Sequence, residues 1–242
     1  MRVLVVSDLH GNEAALRAVS RAEEPDVVLC LGDLVDYGPA PGPCIAWVRA
    51  NAVATVRGNH DDALVRGVRC LCGPDVQRLS DATQDLARRV LGPDDVTWLG
   101  TLPLEARVTI GGVRLHLVHA TPDDPLFTYL RPNEVDAWGR AVENVDADIV
   151  LVGHTHLPMV LKVGSKLVVN PGSVGQPRDG DARAAYAVVD DGVPALRRAA
   201  YDVEETVRAL AASGLDPAFV KALSGVLRMG GVTEASTRKR PS

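Results

Sequence analysis

The chain has 242 residues, of which 46% are hydrophobic and 24% are charged, and its formal net charge is −5. This balance is typical of a globular protein with a sizeable core, and it excludes long disordered, collagen-like or coiled-coil organisation. The acidic, mixed charge argues against an extended nucleic-acid surface, and no apolar run reaches the roughly 18 residues of a membrane span. We therefore expect a cytoplasmic protein with no membrane partner.

The first sixty residues alternate between short buried strands and helices. Continuous apolar runs predict strands over 2–6, 26–31 and 52–56, and helical spacing predicts helices over 13–22 and 44–51. Alternation of this kind implies βαβ units and a largely parallel sheet.

The pattern changes after this alternation. An amphipathic, polar-rich helix is predicted over 77–91, where a Gly-Pro pair ends it. We interpret 61–100 as a helical cap inserted into a single domain that spans 1–229. The remaining residues, 230–242, are predicted to be a flexible tail.

Strands dominate from about residue 104 onward. Paired apolar runs with glycine-containing turns predict three hairpins, formed by 105–110 with 113–118, 159–163 with 166–169, and 184–189 with 193–200. Further elements are predicted as a helix over 133–143, a strand over 148–152, and helices over 202–213 and 216–228.

Side chains that can bind metals follow five of the predicted strands. They are Asp8 and His10, then Asp33, then Asn59 with His60, then His119, and finally His154 and His156. A single Asp after a strand is often only a helix N-cap, but ligands of open α/β sheets bind beyond the carboxyl ends of the strands. We therefore expect these groups to share one site, and we interpret His116, inside its strand, as a structural or surface histidine.

The composition of this set indicates how many cations it holds. Two carboxylates, one amide and several imidazoles are too many ligands for one tetrahedral zinc ion, and they suit two divalent cations of higher coordination number. Such a centre attracts an anion and generates hydroxide near neutral pH, which indicates hydrolysis of a phosphate ester by in-line attack. Manganese, iron, zinc, cobalt and nickel all suit these ligands, and the sequence does not select among them.

Together these motifs resemble those of the calcineurin-like metallophosphoesterase superfamily. The matching residues occur in the family's order, as Asp8-Leu9-His10, Gly32-Asp33, Gly58-Asn59-His60-Asp61, His119 and Gly153-His154-Thr155-His156. A later stretch, 170–178, is similar to a compact bacterial and archaeal phosphodiesterase-like branch of that superfamily. The resemblance implies an α/β fold, a four-layer α/β/β/α sandwich of two mixed sheets with the metals at one edge.

The resemblance also implies a role for each site residue. The first cation would be held by Asp8, His10, Asp33 and His156, and Asp33 would bridge to a second cation that Asn59, His119 and His154 complete. A bridging hydroxide would attack phosphorus. His60 would face the substrate and stabilise the transition state or protonate the leaving oxygen, and Asp36 would raise its pKa, unless Asp36 is only a loop carboxylate facing water.

The substrate side of the site departs from part of the family. Tyr37 stands where protein phosphatases and dinucleoside tetraphosphate hydrolases carry an arginine that grips phosphate. Arg178 is a candidate replacement as a bidentate phosphate clamp, and the alternative is that it is merely solvated. Tyr37, Phe127 and Tyr129 either stack on a nucleobase or aryl group of the substrate or pack beneath the loops.

We expect hydrolysis of phosphodiester bonds, and secondarily of phosphomonoester bonds, in a small or nucleotide-like substrate. The alternative enzyme is a nucleotide or protein phosphatase, and the alternative of another class is a catalytically silent scaffold with the same fold. His60 argues against the scaffold, because the retromer subunit that resembles this family lacks that histidine. Cys70 and Cys72 form a C-x-C pair with no second pair to complete a zinc site, and their role stays open.

Overall fold

The computed structural model describes residues 1–70, 72 and 74–231. Its first sheet has five strands in the order β10-β9-β1-β2-β3. The three N-terminal strands are parallel to one another, and β9 and β10 form an antiparallel hairpin whose first strand pairs with β1. These strands are β1 (Arg2–Val6), β2 (Val27–Cys30), β3 (Ala52–Thr55), β9 (Ala184–Asp190) and β10 (Val193–Ala199).

The second sheet also has five strands, in the order β4-β5-β6-β8-β7. Its three middle strands are parallel, and a hairpin partner flanks them on each side. These strands are β4 (Glu105–Ile110), β5 (Val113–Val118), β6 (Ile149–Leu151), β7 (Met159–Val163) and β8 (Lys166–Asn170).

The helices connect and cover these sheets. Within the described residues they are α1 (Glu13–Ala22), α2 (Pro41–Asn51), α3 (Asn59–Arg66), α4 (Pro74–Val90), α5 (Pro93–Thr101), α6 (Val135–Val142), α7 (Val203–Ala212) and α8 (Pro217–Met229). In that part of the chain, no helix combines the length and the apolar character that crossing a bilayer requires.

Strand β1 illustrates why the molecule has four layers. Val3 and Val5 point toward the second sheet and pack in a core with Leu117 and other residues from both sheets. Leu4 and Val6 point the other way, into a core covered by α1 and α2. On the far face of the second sheet, α6 buries Trp138 against the strands. The predicted α/β/β/α sandwich of two mixed sheets is therefore confirmed.

Two helices were missed by the sequence analysis, which predicted only one helix over 61–100. Helix α3 begins at Asn59, inside a motif that was interpreted as a strand end, and α5 begins at Pro93, which was interpreted only as a stop signal. Proline fits the first turn of a helix, so Pro93 both ends the α4 segment and starts α5. Most of the predicted tail, residues 232–242, lies outside the described residues.

Candidate metal centre

The two sheets present the carboxyl ends of their parallel strands at one edge of the sandwich. Strand β1 leads to Asp8 and His10, and β2 leads to Asp33. The other predicted ligands are reached from β3, β5 and β6, and they are Asn59, His119, His154 and His156. All seven side chains are buried, with at most 3% of their surface exposed. The structure thus brings together every residue that the sequence analysis predicted as a metal ligand.

The two buried carboxylates each have one anchored oxygen and one oxygen that faces the site. Asp8 Oδ2 accepts hydrogen bonds from Ser7 Oγ at 2.6 Å and from the backbone N–H of His154 at 3.2 Å. Its Oδ1 is buried and has no hydrogen-bond partner among the described residues. Asp33 Oδ1 accepts the backbone N–H of His60 at 2.9 Å, and its Oδ2 lies 3.2 Å from His119 Nε2.

Three imidazoles are held so that their Nε2 atoms face the same space. The Nδ1 atoms of His10, His119 and His156 lie 2.8, 2.7 and 2.6 Å from the carbonyl oxygens of Val35, Leu31 and Gln176 respectively. A carbonyl only accepts, so each Nδ1 carries a proton and, whenever the ring is neutral, each Nε2 keeps a free lone pair. Metal-binding histidines are oriented by hydrogen bonds of this kind.

Each of these Nε2 atoms lies close to another hydrogen-bond acceptor atom. His10 Nε2 and His156 Nε2 are 3.2 Å apart, and the latter is 3.3 Å from Asp8 Oδ1. In a second group, Asn59 Oδ1 lies 3.1 Å from His119 Nε2 and 3.0 Å from His154 Nδ1. Acceptors repel one another at such distances unless a proton or a cation lies between them, so this donor set fits divalent cations.

Burial and charge favour neutral imidazoles in most of this set. Burial lowers the pKa of His154 to about 3, and it also holds the pKa values of His10 and His156 below their ordinary range. His119 differs: burial alone would lower its pKa, but the adjacent Asp33 carboxylate raises it to about 9. A cation beside Asp33 would offset that carboxylate and free the imidazole of His119 to act as a ligand.

The backbone at this edge is strained. Seven residues of the predicted site have a positive φ, between 45° and 66°: Asp8, His10, Asp33, Asp36, Tyr37, His154 and His156. Asp and His tolerate this region better than most residues, but each position still costs about 1 kcal/mol or more. Strain concentrated on the side chains that face one space is typical of a functional site.

Two glycines allow the loops to approach this closely. A Cβ atom on Gly58 would lie 2.0 Å from Asp33 Oδ1, and one on Gly153 would lie 2.1 Å from Ser7 Oγ. Both carboxylates are therefore positioned against backbone that has no room for a side chain.

The predicted catalytic residues form a buried chain beside the ligands. His60 Nδ1 lies 2.7 Å from Asp36 Oδ2, and Ser80 Oγ donates to the same oxygen at 2.8 Å. Burial opposes protonation of His60, but the Asp33 and Asp36 carboxylates raise its pKa to about 9. The structure thus places Asp36 against His60 and not in water. The other ring nitrogen, Nε2, lies 3.4 Å from Tyr37 Oη and 3.5 Å from Cys70 Sγ.

The two predicted substrate-binding residues contact each other. The guanidinium carbon of Arg178 lies 5.9 Å from the ring centre of Tyr37, and Arg178 Nη2 donates to Gln176 Oε1 at 3.0 Å. Arg178 Nε is buried without a partner among the described residues. Tyr37 is 2% exposed and its ring packs edge-on against His10, 4.8 Å away between centroids. Both residues therefore border the ligand set.

The remaining aromatic candidates lie at the rim. Tyr129 is 46% exposed and its ring centre is 3.9 Å from that of His154, so it covers one side of the ligand set. Phe127 lines a cavity of about 340 Å³ that reaches Asn59 and Cys70 and that Val68 and Arg66 also border. Phe127 and Tyr129 are therefore accessible at the site, whereas Tyr37, the third aromatic residue of that prediction, is buried.

Asp61 has a structural role that was not predicted from the sequence. Its Oδ2 accepts the backbone N–H groups of Asp33 at 2.8 Å and Gly58 at 3.1 Å, and its Oδ1 accepts that of Leu34 at 2.9 Å. Asp61 therefore caps α3 and ties the loop after β2 to the loop after β3. The position of Asp61 could have indicated this role, because an acidic residue at the third position of a helix commonly accepts the N–H of the N-cap residue.

Residues of the 170–178 stretch support the site from a third direction. Asn170 Nδ2 donates to the carbonyl of Gly153 at 2.6 Å, and Ser173 Oγ donates to the carbonyl of Asp8 at 2.7 Å. This stretch therefore holds two ligand-bearing loops in place.

Comparisons with known proteins agree with this geometry. The profile of the calcineurin-like phosphoesterase superfamily domain matches residues 1–191. An uncharacterised protein of Methanocaldococcus jannaschii is 34% identical over 209 residues, which cover 78% of this chain and 82% of that protein. Phosphodiesterase YfcE of Escherichia coli K12 is 26% identical over 211 residues, which cover 80% of this chain and 89% of YfcE.

A solved structure resembles the whole fold. The crystal structure of a metallophosphoesterase from Sphaerobacter thermophilus superposes with a TM-score of 0.77 at 31% identity, and the match covers 93% of this chain and 99% of that one. Sequence profile and fold agree over most of the chain, which belongs to the calcineurin-like phosphoesterase superfamily.

Proposed function

We propose that this protein hydrolyses phosphate esters at a centre of two divalent cations and that it prefers phosphodiesters. The observation that carries the proposal is the convergence of imidazole lone pairs and free carboxylate oxygens in one buried space. Asp8, His10 and His156 form one donor group, and Asp33, His119 and His154 form another. Asp33 lies between the two donor groups, because its Oδ2 is also 3.9 Å from His10 Nε2.

Residues of this chain would hold the first cation through Asp8, His10, Asp33 and His156, and the second through Asp33, Asn59, His119 and His154. When bound, such cations supply Lewis acidity toward phosphoryl oxygens and make water nucleophilic near neutral pH. Asp61 positions the loop that carries Asp33. Ser7 and the loop at Gly153 position Asp8. The donor atoms are therefore in place before any cation binds.

His60 serves the leaving group in this proposal. Its Nδ1 is paired with Asp36, so the Nε2–H of the protonated ring is the proton that can be donated to a departing oxygen. Asp36, itself held by Ser80, keeps the ring oriented and protonated. Arg178 supplies positive charge beside the same space, where its unpaired Nε is available to a phosphoryl oxygen.

Two observations support a diester in preference to a monoester. The cavity that reaches Asn59 has an apolar wall at Val68 and Phe127, and this wall can accept a second ester substituent. A relative that matches 80% of this chain, YfcE of Escherichia coli K12, bears the name phosphodiesterase.

The test compares turnover of bis(p-nitrophenyl) phosphate with turnover of p-nitrophenyl phosphate in the presence of manganese. We expect the diester to have the higher kcat/KM, and a strong preference for the monoester would favour a phosphatase instead. His60→Asn keeps an amide donor for Asp36 but removes the acid, so it should lose turnover while its metal content stays that of the wild type. Unchanged turnover in this variant would contradict the role of His60.

A further inference from the structure

Three donor atoms lie together beside the predicted metal centre, and the function proposed above does not use them as ligands. They are His60 Nε2, Cys70 Sγ and Cys72 Sγ, all within 4.8 Å of one another. His60 and Cys70 are buried, whereas Cys72 is only partly buried, so the cluster is open toward solvent at the Cys72 side.

The spacing fits a tetrahedral cation. With zinc–sulfur bonds of about 2.3 Å and zinc–nitrogen bonds of about 2.0 Å, tetrahedral angles place sulfur about 3.5 Å from nitrogen and about 3.8 Å from a second sulfur. Cys70 Sγ lies 3.5 Å from His60 Nε2. The pair therefore needs almost no movement to share a cation, and Cys72 needs at most about 1 Å.

The surrounding groups orient these donors. Asp36 holds His60 Nδ1 at 2.7 Å, and a carboxylate behind the imidazole is the usual partner of a histidine that binds metal through Nε2. Asn59 Nδ2 donates to Cys70 Sγ at 3.1 Å, and Tyr37 Oη points at Cys72 Sγ from 3.8 Å. These contacts accompany an arrangement in which both sulfur atoms lie within 4.8 Å of His60 Nε2.

We propose that His60, Cys70 and Cys72 form a third cation site, selective for a thiophilic divalent ion of the zinc class, whose occupation inhibits the enzyme. Binding breaks two S–H bonds and the Nε2–H bond of the protonated His60 ring, forms two metal–sulfur bonds and one metal–nitrogen bond, and releases three protons to solvent, with no change of oxidation state. Two thiolates cancel the charge of the ion, so the filled site is neutral beside the predicted dinuclear centre.

Inhibition follows from the position of His60. The same Nε2 cannot both coordinate a cation and carry the proton for a leaving oxygen. This part of the inference rests on the proposed function, whereas formation of the site does not. Sulfur ligands distinguish the site from the neighbouring donor set of carboxylate, amide and imidazole groups, which suits harder ions.

The experiment titrates the full-length, manganese-saturated protein with cadmium and follows thiolate-to-metal charge-transfer absorption in the ultraviolet. We expect the band to saturate at one cadmium per chain. In Cys70→Ser and in Cys72→Ser, the intensity of the charge-transfer band should fall by at least half. The matched control Cys44→Ala, which removes a buried thiol elsewhere, should keep the full band. An absent band in the wild type, or an undiminished band in either serine variant, overturns the site.

A second measurement needs no variant. Cadmium should protect Cys72 of the wild type from alkylation, as followed by mass spectrometry, at the same stoichiometry that saturates the band. Alkylation at an unchanged rate overturns the site even if a serine variant fails to fold.

Turnover of the aryl diester is measured in the same titration. It should fall in step with the band, and Cys72→Ser, compared with its own rate before cadmium, should be inhibited less. A full band without inhibition overturns the assignment of His60 as a ligand. A wild type that shows the band but never hydrolyses phosphate esters contradicts only the proposed function.

Discussion

Asp61→Asn is the substitution whose effect can be worked out most fully from the structure. The change preserves shape but replaces one acceptor oxygen with an NH2 group and removes the charge. Burial and the Asp33 carboxylate raise the pKa of Asp61 to about 7, so above that pH the ionised carboxylate accepts three backbone N–H groups, from Asp33, Leu34 and Gly58. The amide oxygen can replace Oδ2, which leaves the new NH2 facing the N–H of Leu34, donor against donor.

The expected cost has two parts. A hydrogen bond to a charged group contributes about 1.5–3 kcal/mol, and a buried N–H left without an acceptor costs about 1–3 kcal/mol. Because such terms are not strictly additive, we expect a loss of about 3–5 kcal/mol in the free energy of unfolding. For a chain of this size, that corresponds to a decrease in Tm of roughly 10 °C or more. Loosening the loop that carries Asp33 should also weaken manganese binding by about 10–100-fold.

The assay is thermal unfolding of the metal-free protein followed by circular dichroism, together with a manganese titration, both well above pH 7 so that Asp61 is ionised. Asp62→Asn is the matched control, because it removes the same charge from the same helical turn but keeps an oxygen for one of its two arginine neighbours, Arg66 at 3.3 Å and Arg57 at 3.4 Å. We expect the control to lose less than half as much stability. Equal Tm values for the two variants would refute the reasoning, since they would show that Asp61 does not act as a charged acceptor for the two loops.

Three further substitutions test separate parts of the account. Together with Asp33, Asp36 raises the pKa of His60, so in Asp36→Asn the alkaline limb of the pH–kcat profile should move to lower pH by roughly 1–3 units. An unmoved limb would contradict the pairing. Burial lowers the pKa of His116, so the unfolded state binds more protons and the free energy of unfolding falls as pH drops below about 6.5. His116→Gln should flatten this pH dependence in urea unfolding measured from pH 5 to 8. Parallel curves for the variant and the wild type would contradict this role of His116. A Cβ on Gly175 would lie 1.9 Å from a carbonyl oxygen of the loop after β1, so Gly175→Ala should lower Tm and weaken manganese binding, whereas Gly139→Ala, with open space around it, should raise Tm slightly.

The strand-end residues were predictable because a parallel sheet places the carboxyl ends of its strands at one edge, whatever the loops do. That rule located Asp8, Asp33 and His119 from apolar runs alone. The same runs predicted β1 as buried on both faces, which the structure confirms.

Other features depend on contacts between segments that are distant in the chain. The interpretation of Asp36 as a loop carboxylate or as a partner of His60 could not be decided from sequence, since it required knowing that α4 brings Ser80 against the same oxygen. The proximity of Cys70 and Cys72 to His60 depends on the path of the chain after α3. The pattern of apolar residues in the sequence does not predict that path. Helix α5 is short and follows directly on α4. The Gly92-Pro93 pair was interpreted only as the end of α4, so the start of α5 at Pro93 was not predicted.

The central claim is that two cations share one buried centre through Asp33. The most direct measurement is elemental analysis of protein reconstituted with saturating manganese and freed of excess ion. The account predicts two manganese ions per chain, one in His154→Ala, and fewer than one in Asp33→Asn because both positions lose a ligand. At most one ion in the wild type, or equal losses in the two variants, would contradict it.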